Sequence, residues 1–428
     1  MTEAAPAAPA AGVPTRAAAL RLLDAVLRRG LPLEGALDAA ARGLARADDR
    51  AHAHAIAAEV LRRLADLDAL IDGATAQPLA RDAKARMVLR IALVQALALG
   101  TPPHAAIATA LPLVDGGPRR LVHGVFGALM RKGVALPPVP HLPAEVAMRW
   151  DTAWGQAVVD AAARAIAVPP PLDLTLKDHA GTADWAARLG GVSLAPGHVR
   201  LPAGTRVTAL DGFDDGAWWV QDLSASLPAR LLGPGAGRTV IDLCAAPGGK
   251  TMQLAAAGWT VTALDVAEAR LARLDENLAR TRLNADLVVG DGLTFSARAA
   301  ADAVLLDAPC SATGIFRRHP DVLHRARPRA IAQMAERQQA MLARAANWVK
   351  PGGLLIYAVC SLEPDEGERV AAAFAASHTG FALDPVRADD LPQGIVPDAA
   401  GHVRVLPGML AAAGGVDGFF VARFRRAG

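Results

Sequence analysis

Residues 239–251 read TVIDLCAAPGGKT, a short run rich in β-branched residues that leads into a glycine-rich turn and the start of a helix. This order is typical of the first strand, loop and helix of an open parallel sheet. The pattern predicts a doubly wound, Rossmann-like α/β domain over residues 218–428. Later runs of the same character alternate with helical segments, namely TVTALDV (260–266), DLVVGD (286–291), ADAVLLDAP (301–309), GLLIYAVCS (353–361) and the late strand GFFVARFRR (418–426).

Carboxylates mark the ends of the first four predicted strands, at Asp242, Asp265, Asp291 and Asp307. Because the carboxyl ends of parallel strands meet at one edge of a sheet, we expect these acids to surround a single ligand site. Asp265, after the second strand, is placed to accept hydrogen bonds from ribose hydroxyls. Asp291 is expected near an adenine. The four acids together indicate a nucleoside-like ligand.

The glycine-rich loop is neither a phosphate cradle nor a dinucleotide fingerprint. Its end, GGKT, resembles a P-loop, but that motif needs a glycine at the position of Cys244. The G-x-G-x-x-G spacing of NAD-binding domains does not occur here, and the other motifs offer no hydride chemistry. We therefore predict S-adenosylmethionine as the cofactor.

Two of the three cysteines follow adjacent predicted strands. Cys310 stands in DAPCSATG (307–314) and Cys360 in YAVCSLEPDEGE (357–368). Burial as a small apolar residue suits Cys244, whereas the other two lie where strands end and loops begin. Carbon 5 of a pyrimidine becomes nucleophilic once a thiolate has added to carbon 6. Two thiols beside a methyl donor therefore favour this covalent chemistry.

The chain before the α/β domain falls into three parts. Residues 1–13 form an Ala/Pro tail that we expect to be disordered. Residues 14–140 carry apolar side chains every three or four positions, which predicts an all-α domain. The proline-rich VALPPVPHLP (134–143) marks its end. Residues 141–217, with the strand-like LDLTLK (172–177), predict a small α+β connecting module.

Composition narrows the class of protein. The 428 residues are 52% hydrophobic and 20% charged, with a net charge of +3, so the chain can build packed cores and is not wholly disordered. Three scattered cysteines suit neither a disulfide framework nor a zinc site, and we expect no metal. No signal-peptide pattern opens the sequence, and prolines interrupt the apolar stretch from Ile91. A cytoplasmic protein that does not span a membrane is expected.

The motifs DLCAAPGGKT, DAPCSATG and YAVCSLEPDEGE together resemble those of the RNA cytosine-5 methyltransferases of the Sun/NOL1/NOP2 family, and WVQDLSASLPARLL and RRHPDVLHR fit the same pattern. The resemblance implies a class I methyltransferase domain with a mixed, mostly parallel seven-stranded sheet. It implies that Cys360 is the nucleophile and that Cys310 assists release of the methylated base. Asp307 is also implied as a hydrogen-bond partner of that base. The residues implied to bind S-adenosylmethionine are Cys244, Ala245, Ala246, Pro247, Gly248, Gly249, Lys250, Asp265, Asp291 and Asp307.

The N-terminal helices resemble the NusB-like RNA-binding domain, in VLRIALVQALALGTPPHAAIATALPLVD (88–115) and RRLVHGVFGALMRKG (119–133). This pairing of domains resembles bacterial small-subunit rRNA methyltransferases and favours 16S rRNA as the substrate, with tRNA as the alternative. Two positions depart from the family pattern. Val359 stands where a threonine usually precedes the nucleophile, and Lys177 stands where the connecting module often has an asparagine.

A basic cluster follows the fourth-strand motif. We predict that its first three residues contact the RNA backbone, since phosphate contacts position a target. A solvated arginine surface is the alternative. The cluster consists of Arg317, Arg318, His319, Arg325, Arg327 and Arg329.

Other charged residues near the motifs receive less specific roles. We expect Lys250 to line the site without transferring a proton. Glu363, Asp365 and Glu366 read as first-turn acids of the next helix. The overall hypothesis is a monomeric RNA cytosine-C5 methyltransferase. A non-catalytic RNA-binding assembly factor is a hypothesis from a different class, which the two strand-end cysteines disfavour.

Overall fold

The computed structural model describes residues 11–428. Contacts divide this part of the chain into two compact units. The first unit holds the residues up to Arg149 together with the short segment His319–Arg325. The second holds Trp150–Arg318 and Ala326–Gly428. The predicted division at residues 140 and 217 stays a prediction.

Apolar residues at helical spacing, with many alanines between them, form the helices of the first unit. The first helix begins at Val13, so the last residue of the predicted tail is helical, while residues 1–10 of that tail lie outside the described residues. Gly133, in the left-handed conformation at φ 65°, ends the last of these helices. They are α1 (Val13–Leu27), α2 (Leu33–Ala40), α3 (Ala47–Arg62), α4 (Leu64–Asp72), α5 (Lys84–Leu97), α6 (Pro103–Ala110) and α7 (Gly116–Lys132).

A continuous apolar core holds the first unit together. Leu22, Ile56, Val88 and Phe126 come from four different helices and are almost completely buried. The apolar stretch from Ile91 forms the end of α5 and then α6, so it is divided between two helices where the prolines interrupt it. Among residues 11–428, no helix combines the length and apolar character needed to cross a membrane.

The segment His319–Arg325 belongs to the first unit although it follows the fourth-strand motif. It contains the short helix α14 (Val322–Arg325). The Leu33 amide, at the start of α2, donates to the Asp321 carboxylate at 3.2 Å. The His324 ring nitrogen Nε2 donates to the Leu61 carbonyl at 2.8 Å. These bonds satisfy backbone groups at the ends of helices.

The second unit begins at Trp150, within helix α8, and continues with another helix and a small antiparallel sheet. Strand β1 pairs with β2 on one side and β3 on the other, and this sheet packs around the buried Trp218. The strand β3 extends the small sheet beyond residue 217. Helix α9 ends before β1, and α10 lies between β1 and β2. The bounds are α8 (Ala144–Trp154), α9 (Gln156–Ile166), β1 (Leu172–Leu176), α10 (Thr182–Leu189), β2 (His198–Leu201) and β3 (Trp218–Val220).

A large mixed sheet forms the rest of the second unit and confirms the predicted α/β class. Its main path runs β10-β11-β8-β7-β4-β5-β6, and β9 pairs beside β11. The strands from β8 to β6 are parallel, while β11 runs antiparallel to β8. The sheet therefore has eight strands rather than the expected seven. They are β4 (Thr239–Leu243), β5 (Thr260–Asp265), β6 (Asp286–Val289), β7 (Ala301–Asp307), β8 (Val349–Val359), β9 (Phe381–Leu383), β10 (Val403–Val405) and β11 (Phe419–Arg426).

Helices connect the parallel strands and cover the sheet. Asp222 accepts a hydrogen bond from the Ser224 amide at 2.9 Å and so caps the first of them. Because each parallel connection returns to the same side, the carboxyl ends of β4 to β8 share one edge. The helices are α11 (Leu223–Arg230), α12 (Gly249–Ala256), α13 (Glu268–Thr281), α15 (Pro328–Ala346) and α16 (Glu368–Ser377).

Candidate active site

The glycine-rich loop turns sharply between β4 and α12. Cys244 adopts a positive φ of 60°, and Gly248 has a φ of 110°. A Cβ atom at Gly248 would stand 2.1 Å from the Leu274 side chain. Only glycine fits there, because both the backbone conformation and the close approach of α13 exclude a side chain. The loop therefore keeps its backbone at the sheet edge.

Asp265, at the end of β5, is held by the loop it faces. Its carboxylate accepts hydrogen bonds from the Ala246 amide at 3.2 Å and the Ala267 amide at 3.0 Å. The guanidinium of Arg270 lies 3.4 Å from Asp265 and also donates to the Ala246 carbonyl. Arg270 was missed in the sequence. Arg270 lies in the first turn of the helix that follows β5, and β5 ends in an acid, so its position in the sequence could have indicated this contact.

Asp242, near the end of β4, is completely buried. Its Oδ2 accepts from the Thr251 hydroxyl at 2.6 Å, while Oδ1 has no hydrogen-bond partner among the described residues. Burial raises the pKa of Asp242 to about 7, against the opposing effects of Thr251 and Lys250. The unpartnered Oδ1 is a buried acceptor that a donor beside the loop would satisfy.

Lys250 and Asp307 form an ion pair next to the loop. The Lys250 ammonium lies 2.7 Å from Asp307 Oδ2 and 5.3 Å from the ring centre of Phe419. Burial opposes the charge of Lys250, but the Asp307 carboxylate outweighs it, so the pKa of Lys250 is raised. Asp291 stands after β6, accepts from the Leu293 amide at 3.0 Å and is more exposed than Asp242 or Asp265.

Cys310 and Cys360 lie together, as their strand positions predicted. Strands β7 and β8 are parallel neighbours, and the two sulfur atoms are 3.5 Å apart. The hydrogen bond with Cys360, burial and the nearby Glu366 carboxylate raise the pKa of Cys310 well above its usual range. Cys310 therefore holds its proton at neutral pH.

Cys244 is set apart from this pair by its electrostatic surroundings. Burial and the carboxylates of Asp307, Asp265 and Asp242 raise its pKa to about 12. A thiol with this pKa stays neutral and behaves as a small apolar side chain. This agrees with the packing role that its loop position suggested.

The acids after Cys360 differ from their predicted role as first-turn acids, because α16 begins only at Glu368. Glu363 accepts from the Trp150 indole at 3.1 Å. Asp365 pairs with Arg369 at the surface. Glu366 is fully buried and accepts from Ser311 and Ser361, the residues that follow the two cysteines. Sequence alone gave no signal for this connection.

The basic residues after β7 lie in different surroundings in the structure. Arg317 is buried and donates to the Gly414 carbonyl at 2.9 Å. Arg318 donates to Asp222 at 2.6 Å and to Asp417 at 3.0 Å. His319 belongs to the first compact unit. Contact of these three residues with RNA stays a prediction, and the two arginines have internal partners in place of a solvated surface.

Comparison with known proteins agrees with both units. Residues 229–425 match the family described as 16S rRNA methyltransferase RsmB/F, and residues 13–130 match the NusB family. A ribosomal RNA small subunit methyltransferase B of Sodalis glossinidius (strain morsitans) is 35% identical over 95% of this chain and 96% of that protein. One of Xylella fastidiosa (strain Temecula1 / ATCC 700964) is 36% identical over 96% and 98%.

A solved structure supports the fold independently. The crystal structure of PH0851 has a TM-score of 0.73 and 22% sequence identity, and the match covers 98% of this chain and 100% of that one. The likeness shows that this fold recurs in an experimental structure. With the sequence relatives at 35% and 36% identity over nearly the whole chain, the protein belongs to the RsmB/F family of 16S rRNA methyltransferases.

Proposed function

We propose that the protein transfers a methyl group from S-adenosylmethionine to carbon 5 of a cytosine in 16S rRNA through a covalent cysteine adduct. The observation that carries this proposal is the pair of thiols of Cys310 and Cys360, 3.5 Å apart at the ends of adjacent strands. Methyl transfer to an oxygen or an amino group needs no thiol, whereas carbon 5 needs a nucleophile at carbon 6.

The residues at the sheet edge fit S-adenosylmethionine. Asp242, Asp265 and Asp307 place three carboxylates around the loop, and the last two already pair with cations. The unpartnered oxygen of Asp242 is the acceptor that an ammonium group of the ligand would satisfy. Gly248 and Gly249 keep side chains away from the loop backbone. When bound, the cofactor supplies an electrophilic methyl group. Asp265 and the loop amides would hold its nucleoside end.

The first step forms a bond between the Cys360 sulfur and carbon 6, and the electron pair of the ring double bond moves to carbon 5. Carbon 5 then takes the methyl group. In the last step the proton leaves carbon 5, the ring double bond forms again and the bond between carbon 6 and sulfur breaks. Cys310 donates its proton to the departing Cys360 sulfur and receives the proton from carbon 5. Cys360 then loses a proton to solvent before the next cycle.

The choice of 16S rRNA rests on the relatives. The Sodalis and Xylella proteins are named as ribosomal RNA small subunit methyltransferases. The NusB-family region at residues 13–130 offers an RNA-binding domain for such a substrate. The target cytosine must leave its stack to reach the two thiols, so a loop or bulge is the expected context.

The test uses the Cys310→Ala variant with S-adenosylmethionine and unmethylated 16S rRNA, followed by a denaturing protein gel. Without the proton on Cys310 the methylated base is not released, so a covalent protein–RNA adduct should accumulate. The Cys310→Ala, Cys360→Ala double variant is the control and should form none. Sequencing the trapped RNA identifies the nucleotide.

Two results would contradict the proposal. If wild-type protein methylates the rRNA and Cys310→Ala turns over normally without an adduct, the release mechanism is wrong. If the wild type methylates tRNA but neither free 16S rRNA nor small ribosomal subunits, the substrate is wrong. A matched reaction with tRNA therefore runs alongside the rRNA reaction.

A further inference from the structure

The Glu366 carboxylate joins the two loops that carry the thiols. Its Oε1 accepts from the Ser311 amide at 2.8 Å. Its Oε2 accepts from the Ser361 hydroxyl at 2.5 Å and from the Ser311 hydroxyl. Ser311 directly follows Cys310, and Ser361 directly follows Cys360. One buried side chain therefore contacts the neighbour of each thiol.

Hydrogen bonds involving Gln338 and Tyr357 also hold Glu366 in place. Gln338 donates to Glu366 Oε1 at 3.2 Å and to the Pro309 carbonyl at 2.9 Å. The Tyr357 hydroxyl bonds to the side-chain oxygen of Gln338 and to the backbone carbonyl of Glu366. With the two serines, Glu366 receives four hydrogen bonds on two oxygens. Burial raises the pKa of Glu366, and the hydrogen bonds from the two serines and Gln338 oppose that rise.

The two loops also meet directly. The Gly314 amide donates to the Cys360 carbonyl at 3.0 Å, and the Leu362 amide donates to the Thr313 hydroxyl at 3.0 Å. These contacts would keep the loops together even without Glu366. What Glu366 adds is a fixed spacing at the cysteines themselves, where two sulfur atoms must work on one base.

We propose that Glu366 is a positioning residue that holds Ser311 and Ser361 so that the two thiols stay at the separation the reaction needs. The inference rests on the proposed covalent function and deepens it. Its charge also bears on the chemistry, because the Glu366 carboxylate is among the causes that raise the pKa of Cys310. The same residue thus sets the place of Cys310 and helps to keep its proton.

The test compares Glu366→Gln with Asp365→Asn in the full-length protein. Both changes remove one carboxylate, but Asp365 is partly exposed and pairs with Arg369 at the surface. Glu366→Gln should lower kcat by about 100-fold, because a shift of about 1 Å in reacting groups costs that much. The KM for rRNA and the Kd for S-adenosylmethionine should stay within about twofold of wild type. Asp365→Asn should behave as wild type.

The pH profile separates positioning from simple destabilisation. Without the negative charge, the pKa of Cys310 falls, so Cys310 loses its proton at lower pH. Release of the methylated base in Glu366→Gln should therefore decline at a lower pH than in wild type. If Glu366→Gln has wild-type kcat and an unshifted profile, the proposal is wrong.

A second variant covers the case in which Glu366→Gln does not fold. Ser311→Ala removes the hydroxyl that contacts Glu366 and Ser361 and keeps the Ser311 amide bond, so we expect a folded protein with slower release and more trapped adduct. Normal release in Ser311→Ala would also overturn the proposal. The Cys310→Ala adduct assay, run in parallel, reports on the covalent function itself. An adduct there with normal Glu366 variants contradicts only the positioning role.

Discussion

Gly314 and Gly418 approach so closely that a Cβ atom on Gly314 would stand 2.0 Å from the Gly418 carbonyl oxygen. The same atom would be 2.9 Å from the Cys360 carbonyl oxygen. Both neighbours are backbone atoms, so neither can rotate away. The loop that carries Cys310 can pack beside Cys360 only because residue 314 has no side chain.

Gly314→Ala should therefore separate the two cysteine loops. We expect a loss of about 1–3 kcal/mol in the free energy of unfolding, as for overpacked cores. Methyl transfer should fall by about 100-fold. The matched control is Gly380→Ala, since nothing in the described chain lies within 4 Å of a Cβ there. Denaturant unfolding and a methyl-transfer assay check both variants, and equal activity would contradict the expected separation.

Cys360→Ala should abolish methyl transfer while the protein still binds S-adenosylmethionine with nearly normal affinity. The thiol lies at the end of β8, whereas the glycine-rich loop lies at the end of β4. Isothermal calorimetry measures cofactor binding, and incorporation of labelled methyl groups measures turnover. Turnover at the wild-type rate would show that another group attacks the base.

Asp242→Asn should change how stability depends on pH. The pKa of Asp242 is raised from 3.8 to about 7, so the folded protein binds more protons than the unfolded chain between these values. The contribution of this proton uptake to the free energy of unfolding is fully present below pH 3.8. It is lost as pH rises to about 7, by at most about 1.4 kcal/mol per pH unit. The variant should be more stable than wild type at pH 8 and nearly equal at pH 4.

Thermal unfolding from pH 4 to pH 8 checks this prediction. Asp417, whose pKa burial also raises to about 7, stays in both proteins, so the difference between the two curves reports on Asp242. We also expect the variant to bind S-adenosylmethionine about tenfold more weakly, since it loses a negative charge beside a cationic ligand. Parallel stability curves would show that Asp242 does not titrate in this range.

Arg318→Ala should act mainly on stability. Its guanidinium pairs with Asp222 and Asp417, both almost fully buried, so its loss removes the cation that bonds directly to these two carboxylates. We expect a cost of about 3 kcal/mol at pH 8, and less at pH 5, where Asp417 takes up a proton. Arg327→Ala, at an exposed position, is the control for stability.

RNA binding by the same variants tests the predicted backbone contacts. We expect folded Arg318→Ala to keep the wild-type dependence of RNA affinity on salt, because its charge is neutralised inside the protein. A phosphate ligand would instead lower the slope by about one. Filter binding at several salt concentrations measures this slope. A reduced slope for Arg318→Ala would support the predicted contact of Arg318 with RNA.

The sequence was most informative where topology alone decides position. Strands that are parallel and adjacent bring their carboxyl ends together, so the placement of Asp265, Asp307, Cys310 and Cys360 at one edge followed from the order of motifs. The expected count of seven strands was wrong, because the sheet has eight, with the three-residue β9 pairing beside β11.

Contacts between distant loops could not be predicted. Arg318 meets partners 96 and 99 residues away, and Glu366 meets Ser311 across 55 residues. Each of these contacts depends on how distant loops fold in space, and the local sequence of a loop does not indicate which residues it will meet. An arginine next to a motif therefore suggested RNA, and an acid before a helix suggested a cap. The buried environment of both side chains became visible only in the structure.

The segment His319–Arg325 has a consequence for how the molecule can be divided. A fragment that ends at residue 149 would lack the Asp321 carboxylate that binds the Leu33 amide and the His324 ring that binds the Leu61 carbonyl. Those contacts span 288 and 263 positions of the chain. The helical unit is therefore not one continuous stretch of the chain. A deletion of residues 319–325 would remove hydrogen bonds from helices α2 and α3, about 260 to 290 residues earlier in the sequence.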